Sequence, residues 1–249
     1  MPNRPEFFLA TMSNSFFRFK QFTIHHDRCA MKVGTDGVLL GAWTDVGHSK
    51  DILDVGTGTG LVALMMAQRN PAAFIRAIDI EQGAVEQAKE NAINSPFADR
   101  MTVERFDFRS CASLWPGQFD LIVSNPPWFS NSLLPSNAGR TKARHSVSLT
   151  LEELWHAAAI CLKQNGSLVL ILPFDKREQL EAMAAKFGFF LKRETVVYPL
   201  PDSVPKRLLT AWTRLPTENP LPCRLTIELA RHRYSQEFID LVKEFYLFM

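Results

Sequence analysis

The chain has 249 residues, with 28 lysines and arginines against 26 aspartates and glutamates, and a net charge of +2 at pH 7. This length fits one large α/β domain or two small ones, and a hydrophobic content of 46% is enough for a sizeable core. A nearly neutral protein has no global basic field, so any contact with nucleic acid has to come from local clusters of cations.

The cysteine pattern disfavours a metal site and a secreted scaffold. Cys29, Cys111, Cys161 and Cys223 lie far apart without paired spacing, which argues against both a zinc site and a disulfide framework. We therefore predict no bound metal. The sequence shows neither a signal-peptide core nor an apolar run of membrane-spanning length. We expect a protein of the reducing cytoplasm with no membrane contact and no obligate protein partner.

The first predicted elements are an N-terminal strand pair and a short helix. Phe16–Ile24 alternates in part and predicts an edge strand or a hairpin. In the stretch Lys32–Gly37, Thr35 or Asp36 is a plausible N-cap of a short apolar helix. Lys32, Thr35 and Asp36 are also candidates for ligand contact. For Asp36, a capping role alone is as plausible as a ligand role.

A strand that runs into a glycine-rich turn is the next signal. Asp51–Val55 predicts a buried strand, Gly56-Thr57-Gly58-Thr59-Gly60 a tight turn, and Leu61–Arg69 a helix. The third glycine follows the second by two residues, whereas a dinucleotide fingerprint needs three. Asp54 also lies close to where a pyrophosphate would bind. Both features favour a ligand with a cationic end, such as S-adenosylmethionine, over a nicotinamide cofactor.

Two further strands, Ala73–Ile78 and Met101–Phe106, each run into an acidic residue. An acid at the end of the second strand is placed to bind both hydroxyls of a ribose. The acid and the aromatic residue after the next strand are suited to bind and cover an adenine ring. The candidates at these two strand ends are Asp79, Ile80, Asp107 and Phe108.

The stretch Phe119–Phe129 carries the chemistry. Its apolar run predicts a short buried strand, which Pro126 and Pro127 end with a stiff, extended loop. This loop presents the amide of Asn125, the carbonyl of Pro126 and the ring of Trp128, a set that suits a flat group bearing an amine. Two acceptors against the N–H groups favour the more tetrahedral nitrogen of an alkylation transition state. The alternative is that the prolines only end a strand and the tryptophan caps the core.

The rest of the chain completes one α/β domain over residues 16–249, preceded by a frayed arm at 1–15. Thr150 and Glu153 form a capping box that opens a helix over Leu149–Leu162. Further strands are predicted at Ser167–Leu172, Phe189–Tyr198, Arg207–Trp212 and Leu225–Leu229, and further helices at Lys176–Phe187 and Gln236–Phe245. Four successive strand ends thus carry Asp54, Asp79, Asp107 and Asn125, which together along one sheet edge make a site.

Asn125-Pro126-Pro127-Trp128 resembles the motif of class I methyltransferases that act on amino groups. The stretches Phe19–Phe22, His26–Gly37 and Phe245–Met249 are similar to the bacterial tRNA adenine-N6 methyltransferases that modify the adenine beside the anticodon of a valine tRNA. That family usually has tyrosine at position 128, so stacking is kept and a hydroxyl is lost. The resemblance implies a Rossmann-like α/β fold: a mostly parallel seven-stranded sheet with an antiparallel C-terminal strand and helices on both faces.

The resemblance also implies methyl transfer from S-adenosylmethionine to the N6 amine of an adenine in tRNA. It assigns the cofactor to the Gly56 turn, Asp79 and Asp107, and the target amine to Asn125 and Pro126. Open alternatives are methylation of another RNA or DNA amine or of a protein glutamine, and a non-catalytic protein that binds RNA and the cofactor. The expected RNA contacts are Arg140, Lys142, Arg144 and His145, followed by the pairs Arg18 with Lys20 and Arg231 with Arg233.

Overall fold

The computed structural model describes residues 15–28, 32–126, 149–218 and 220–248. The strands in these ranges are β1 (Phe16–Arg18), β2 (Thr23–His25), β3 (Asp51–Val55), β4 (Phe74–Asp79), β5 (Met101–Arg105), β6 (Phe119–Ser124), β7 (Leu162–Pro173), β8 (Phe190–Tyr198), β9 (Arg207–Thr213), β10 (Cys223–Thr226), β11 (Glu228–Ala230) and β12 (Arg233–Tyr234). The helices are α1 (Thr35–Trp43), α2 (Leu61–Arg69), α3 (Gln82–Ile93), α4 (Leu151–Cys161), α5 (Arg177–Phe187) and α6 (Gln236–Val242).

Eight of the described strands form the central sheet, in the spatial order β10-β8-β9-β7-β6-β3-β4-β5. Neighbouring strands run parallel except at β9, which is antiparallel to both β7 and β8. The predicted Rossmann-like, mostly parallel sheet is confirmed, but it has eight strands rather than seven. The prediction placed one last strand at Leu225–Leu229, whereas the structure divides this stretch between β10 and the separate strand β11.

The core lies on both faces of the sheet, because successive residues of each central strand point to opposite sides. In β6, Leu121 and Val123 pack with α1, α2, α3 and α6, whereas Ile122 packs with α4 and α5. Strands buried on both faces are apolar throughout, which explains why β3 and β6 are recognisable as short apolar runs. No helix in the described ranges is long and apolar enough to cross a membrane.

The beginnings of two helices test the capping predictions. Thr150 and Glu153 form the predicted capping box at α4: the Thr150 hydroxyl accepts from Glu153 N at 3.2 Å, and Glu153 Oε2 accepts from Thr150 N at 2.8 Å. At α1 the prediction is wrong. Its N-cap is Gly34, with no side-chain cap, and Thr35 and Asp36 already lie in the first turn. Because neither side chain caps the helix, both are available for other contacts.

The N-terminal segment forms a small hairpin apart from the central sheet. Strands β1 and β2 pair in antiparallel fashion, which confirms the hairpin rather than the edge strand. The buried rings of Phe19 and Phe22 join the core beside α1. Lys20 is hydrogen-bonded to the C-terminal part of the chain: its backbone N–H donates to Phe245 O at 2.8 Å, and its ammonium group donates to Lys243 O at 2.5 Å. This ammonium therefore serves a structural contact.

Candidate active site

A cavity of about 360 Å³ opens at the carboxyl ends of the central strands β3 and β6. The register pairs Val55 with Ser124, so the glycine turn after β3 and Asn125 after β6 are neighbours along this edge, one strand spacing of about 4.8 Å apart. The lining residues are Lys32, Val33, Gly34, Thr35, Asp36, Gly37, Asp54, Gly56, Thr57, Gly58, Thr59, Leu61, Val62, Asn125 and Arg207. The structure thus brings together seven predicted site residues: Lys32, Thr35, Asp36, Asp54, Gly56, Gly58 and Asn125.

The glycines of the turn serve two purposes. Gly56 and Gly58 have φ angles of 72° and 56°, in the left-handed region that glycine adopts at little cost, and both line the cavity. Gly60 does not line it. A Cβ at Gly60 would lie 3.3 Å from the Cβ of Ala88 in α3, so this glycine lets the turn pack closely against that helix. Of the three predicted ligand-binding glycines, the structure therefore gives Gly60 a packing role.

Asp54 is a buried acid at the floor of the cavity. Its side chain is 2% exposed, and Oδ2 accepts from the Thr57 hydroxyl at 2.6 Å and from Ala63 N at 3.2 Å. Burial raises the pKa of Asp54 to about 7; the two hydrogen bonds oppose this effect, and the negative charge of Asp79 adds to it. Near neutral pH this carboxyl group can therefore either keep or release its proton.

Asp79 fixes the glycine turn to the end of β4. Its Oδ2 accepts from Gly58 N and its Oδ1 from Glu81 N, both at 3.0 Å. The carboxylate thus orients the glycine turn, and because it is only half-buried, part of it remains accessible to solvent at the sheet edge. Ile80 follows it, and its carbonyl accepts from Arg105 Nε at 3.0 Å. Neither residue lines the cavity; both lie at the next strand end.

The acid after β5 is already engaged by a neighbouring arginine. Asp107 caps the 3₁₀ segment Phe108–Ser113 and binds Arg109 through both carboxylate oxygens, at 2.9 Å to Nε and 2.6 Å to a terminal nitrogen. This guanidinium holds the pKa of Asp107 below its usual value. The prediction that the Phe108 ring covers an adenine is wrong, because this side chain is 2% exposed and packs within the core.

Arg207 is a site residue that the sequence analysis missed. It begins β9, and because β9 is antiparallel, pairing of Arg207 with Pro173 places it at the edge where the parallel strands end. Its Nε donates to Asp36 Oδ2 at 2.7 Å, across 171 positions of sequence. Both side chains are about one-third exposed at the cavity. No local pattern in the sequence could have indicated this ion pair.

The loop that begins at Asn125, called here the acceptor loop, follows directly on β6. The buried Ser124 hydroxyl donates to Val55 O at 2.8 Å, which ties the end of β6 to β3 just before Asn125. Asn125 and Pro126 are half-buried. The remaining predicted residues of this region lie outside the described residues: Pro127, Trp128, Arg140, Lys142, Arg144 and His145.

The fold, together with a glycine turn, a buried acid and an amide side chain at one sheet edge, defines the class of Rossmann-like methyltransferases. In this class S-adenosylmethionine is the methyl donor. Residues 31–194 match the methyltransferase small domain family. The match includes β3, the glycine turn, β6 and Asn125, and therefore covers most of the cavity.

Comparison with curated proteins narrows the class. A protein from Parabacteroides distasonis named tRNA1(Val) (adenine(37)-N6)-methyltransferase is 47% identical over 241 residues, which are 96% of this chain and 100% of the relative. A protein of the same name from Phocaeicola vulgatus is 49% identical over 238 residues, with the same coverage. The chain belongs to the family of tRNA1(Val) (adenine(37)-N6)-methyltransferases. A solved structure described as a predicted O-methyltransferase from Agrobacterium tumefaciens shares the fold: the TM-score is 0.62 at 19% identity, covering 84% of this chain and 96% of that one.

Proposed function

We propose that this protein transfers a methyl group from S-adenosylmethionine to the N6 amine of an adenine in tRNA, the adenine at position 37 of a valine tRNA. The observation that carries the proposal is the placement of Asn125 in the same cavity as Gly56 and Gly58. An acceptor for an amine therefore lies one strand away from the cofactor turn. The choice of a tRNA adenine rests on the relatives, which bear this activity in their names at 47% and 49% identity.

The residues present fit the two ends of S-adenosylmethionine. Its amino-acid end is a zwitterion, and the cavity carries two acids, Asp36 and Asp54, together with the cations Lys32 and Arg207. For the nucleoside end, we assign the ribose hydroxyls to the carboxylate of Asp79 and the adenine to Asp107, which lie at the ends of β4 and β5. When bound, the cofactor supplies a methyl group that its sulfonium charge already activates.

The acceptor loop binds and orients the target amine. The lone pair of an exocyclic amine is delocalised into the ring, which makes the nitrogen a poor nucleophile. The Asn125 amide oxygen and the Pro126 carbonyl accept from its two N–H groups and thereby favour a tetrahedral nitrogen whose lone pair points at the methyl group. This interaction is stronger in the transition state than in the ground state, so it raises the rate as well as positioning the base. Trp128 is proposed to stack on the base.

We further propose that the enzyme acts in the cytoplasm without an obligate protein partner. Arg140, Lys142, Arg144 and His145 stay proposed contacts of the tRNA, on the ground that they closely follow the acceptor loop in sequence. Arg231 and Arg233 lie at the exposed tip of the β11–β12 hairpin.

Replacing Asp79 by alanine should weaken S-adenosylmethionine binding by roughly 1.5–3 kcal/mol, the range for hydrogen bonds to a charged group. Isothermal calorimetry measures this loss. Because Asp79 also accepts from Gly58 N and Glu81 N, the matched variant is Asp79→Asn, which keeps the shape and one acceptor at the turn. An affinity unchanged in both variants would reassign Asp79 to fixing the turn alone.

Replacing Arg207 by glutamine should weaken binding of S-adenosylmethionine about tenfold or more, because a charge-assisted bond to the carboxylate of its amino-acid end is lost. The same variant should bind 5′-methylthioadenosine, which lacks that end, as tightly as the wild type. Asp36→Asn breaks the same ion pair and serves as the matched variant. Equal losses for both ligands would show that Arg207 acts only by supporting the cavity wall.

The reaction itself is tested by incubating the full chain with tRNA and isotopically labelled S-adenosylmethionine, followed by mass spectrometry of the nucleosides. Labelled N6-methyladenosine is the expected product. A valine tRNA with guanosine in place of the target adenine should remain unlabelled. Label found only in protein glutamine, in another nucleoside or in no product would contradict the proposal and favour one of the alternatives.

A further inference from the structure

The carboxyl edge of the sheet is divided by charge. On the half formed by β3, β4 and β5, the ends of the strands carry three solvent-accessible carboxylates against two guanidinium groups, Arg105 and Arg109, and Arg109 is bound to Asp107. The carboxylates are those of Asp79, Glu81 and Asp107. The other half, formed by β7, β9, β8 and β10, carries Asp175 and Asp202 but also Lys176, Lys206 and Arg207. A phosphate backbone that reaches Asn125 is therefore less repelled over this other half.

The topology places a second hairpin at the end of that other half. Strand β10 runs parallel to β8 and pairs Thr226 with Tyr198, so the chain leaves β10 at the same edge as Asn125. The backbone then continues along this edge, since Ile227 N donates to Tyr198 O at 2.8 Å. The hairpin β11–β12 follows, and its base is closed by Ser235 N donating to Ile227 O at 2.9 Å.

The tip of this hairpin is basic and exposed. Ala230 pairs with Arg233, which leaves Arg231 and His232 as the connecting residues. All three residues from Arg231 to Arg233 are exposed, and no ion pair between described residues includes either arginine. The two charges therefore do not serve a structural ion pair among the described residues.

The backbone of the tip is held in a left-handed conformation that is uncommon for a residue other than glycine. His232 has a φ of 62°, and it alone among the described non-glycine residues has a positive φ. Glycine or asparagine is preferred at such a position of a turn. In this conformation the His232 ring accepts a hydrogen bond from Arg231 Nε at 3.2 Å, which holds the ring against the guanidinium group. Next to it, the ring of Tyr234 is 37% exposed and stacks on Phe238 with centroids 5.2 Å apart, which fixes an aromatic surface beside the arginines.

We propose that the β11–β12 hairpin binds the phosphate backbone of the substrate RNA, with Arg231 and Arg233 as the phosphate contacts. This inference rests on the proposed function. The RNA path runs from Asn125 past the exposed Lys206, which precedes β9, to the hairpin tip. Four strand spacings separate β6 from β10, roughly 19 Å at about 4.8 Å each. At about 3.4 Å of rise per nucleotide, the contacted phosphates lie roughly five to six nucleotides from the target adenine.

The double variant Arg231→Gln/Arg233→Gln of the full chain tests the proposal. It removes two charges and keeps the length of the side chains, and thermal unfolding verifies that the fold is intact. At 0.15 M salt we expect the KM for valine tRNA to rise about tenfold, with kcat at saturating tRNA and the Kd for S-adenosylmethionine unchanged. The slope of log K for tRNA against log salt should fall by up to ~0.9 for each lost phosphate contact, the value for the helical strand on which the rise of 3.4 Å is based.

The matched control removes two cations from the opposite edge of the sheet. Lys50 precedes β3 and Lys192 lies near the start of β8; both are exposed and, among the described residues, belong to no ion pair. Lys50→Gln/Lys192→Gln should leave the KM and the salt slope at the wild-type values. An unchanged slope in the arginine variant, an equal effect in the control, or a loss confined to kcat would overturn the proposal.

A substitution of His232 tests the hairpin independently of the arginine variant. His232→Gly favours the observed φ, so the hairpin should remain folded and the melting temperature should not fall. Because the His232 ring holds Arg231 Nε at 3.2 Å, we expect a several-fold rise in the KM for tRNA, and an unchanged KM would count against the hairpin tip as the phosphate contact. Failure of the hairpin proposal is distinguishable from failure of the proposed function. In the first case the wild type methylates tRNA and the arginine variant does so equally well, and in the second the wild type yields no methylated tRNA.

Discussion

Asn125→Ala is expected to lower kcat by ~10²–10³-fold, the typical cost of one hydrogen bond that stabilises a transition state. Asn125 lines the cavity beside the glycine turn, yet it has no place in the turn itself. Its loss should therefore leave the affinity for S-adenosylmethionine within a few-fold of the wild-type value. Single-turnover methylation of tRNA and calorimetry of cofactor binding measure the two effects separately.

Asn125→Asp is the matched variant for this position, because a carboxylate keeps an acceptor oxygen on the same side chain. It should retain more activity than the alanine variant. If Asn125→Ala keeps more than a tenth of the wild-type kcat, the amide does not stabilise the transition state. In that case the alternative of a strand terminator without a chemical role gains support, as does a non-catalytic cofactor-binding protein.

Asp54→Asn should flatten the decline in stability that we expect for the cofactor-free protein between about pH 4 and pH 7. The pKa of Asp54 rises on folding from 3.8 to about 7, so the folded protein keeps a proton that the unfolded chain releases. This contribution is fully present below pH 4, is lost as the pH rises to about 7, and is constant above. Its size is on the order of 4 kcal/mol at 1.36 kcal/mol per pKa unit. Denaturant unfolding at several pH values measures it.

Asp99→Asn, which neutralises an exposed acid, is the control and should leave the pH dependence as it is. Binding of a cofactor ammonium group near Asp54 favours the carboxylate form, so wild-type binding at pH 6.5 should release a proton. Calorimetry in two buffers with different ionisation enthalpies detects this release. A pH profile of stability that is the same in wild type and Asp54→Asn would mean that the buried carboxyl group stays ionised in the folded protein.

The central half of the fold could be predicted because its signals are local. Strands β3 and β6 are short apolar runs that end in glycines or prolines, and Thr150 and Glu153 form a capping box within one helical turn. Chain order in a parallel sheet then places the strand ends on one edge. Asp54 and Asn125 come from neighbouring strands and meet in one cavity for this reason.

The features that could not be predicted depend on contacts between distant residues. Arg207 reaches the cavity only because β9 runs antiparallel, a fact that local pattern does not determine. Asp36 is suited by type to a cap, but its carboxylate binds that arginine while Gly34 occupies the cap. Phe108 follows a strand end as a ligand-covering ring would, and the direction of its side chain into the core appears only in the packed structure.

The position of β9 also has a consequence during synthesis on the ribosome. This strand lies between β7 and β8 in space but is made after both, about forty residues after the end of β7. At about 5–20 residues per second, β7 waits roughly 2–8 s for its partner. Its segment Leu168–Leu172, buried in the finished sheet, meanwhile offers an unpaired apolar edge to other nascent chains. We therefore expect that slower translation between β7 and β9 raises the fraction of chains that aggregate before they reach the native state.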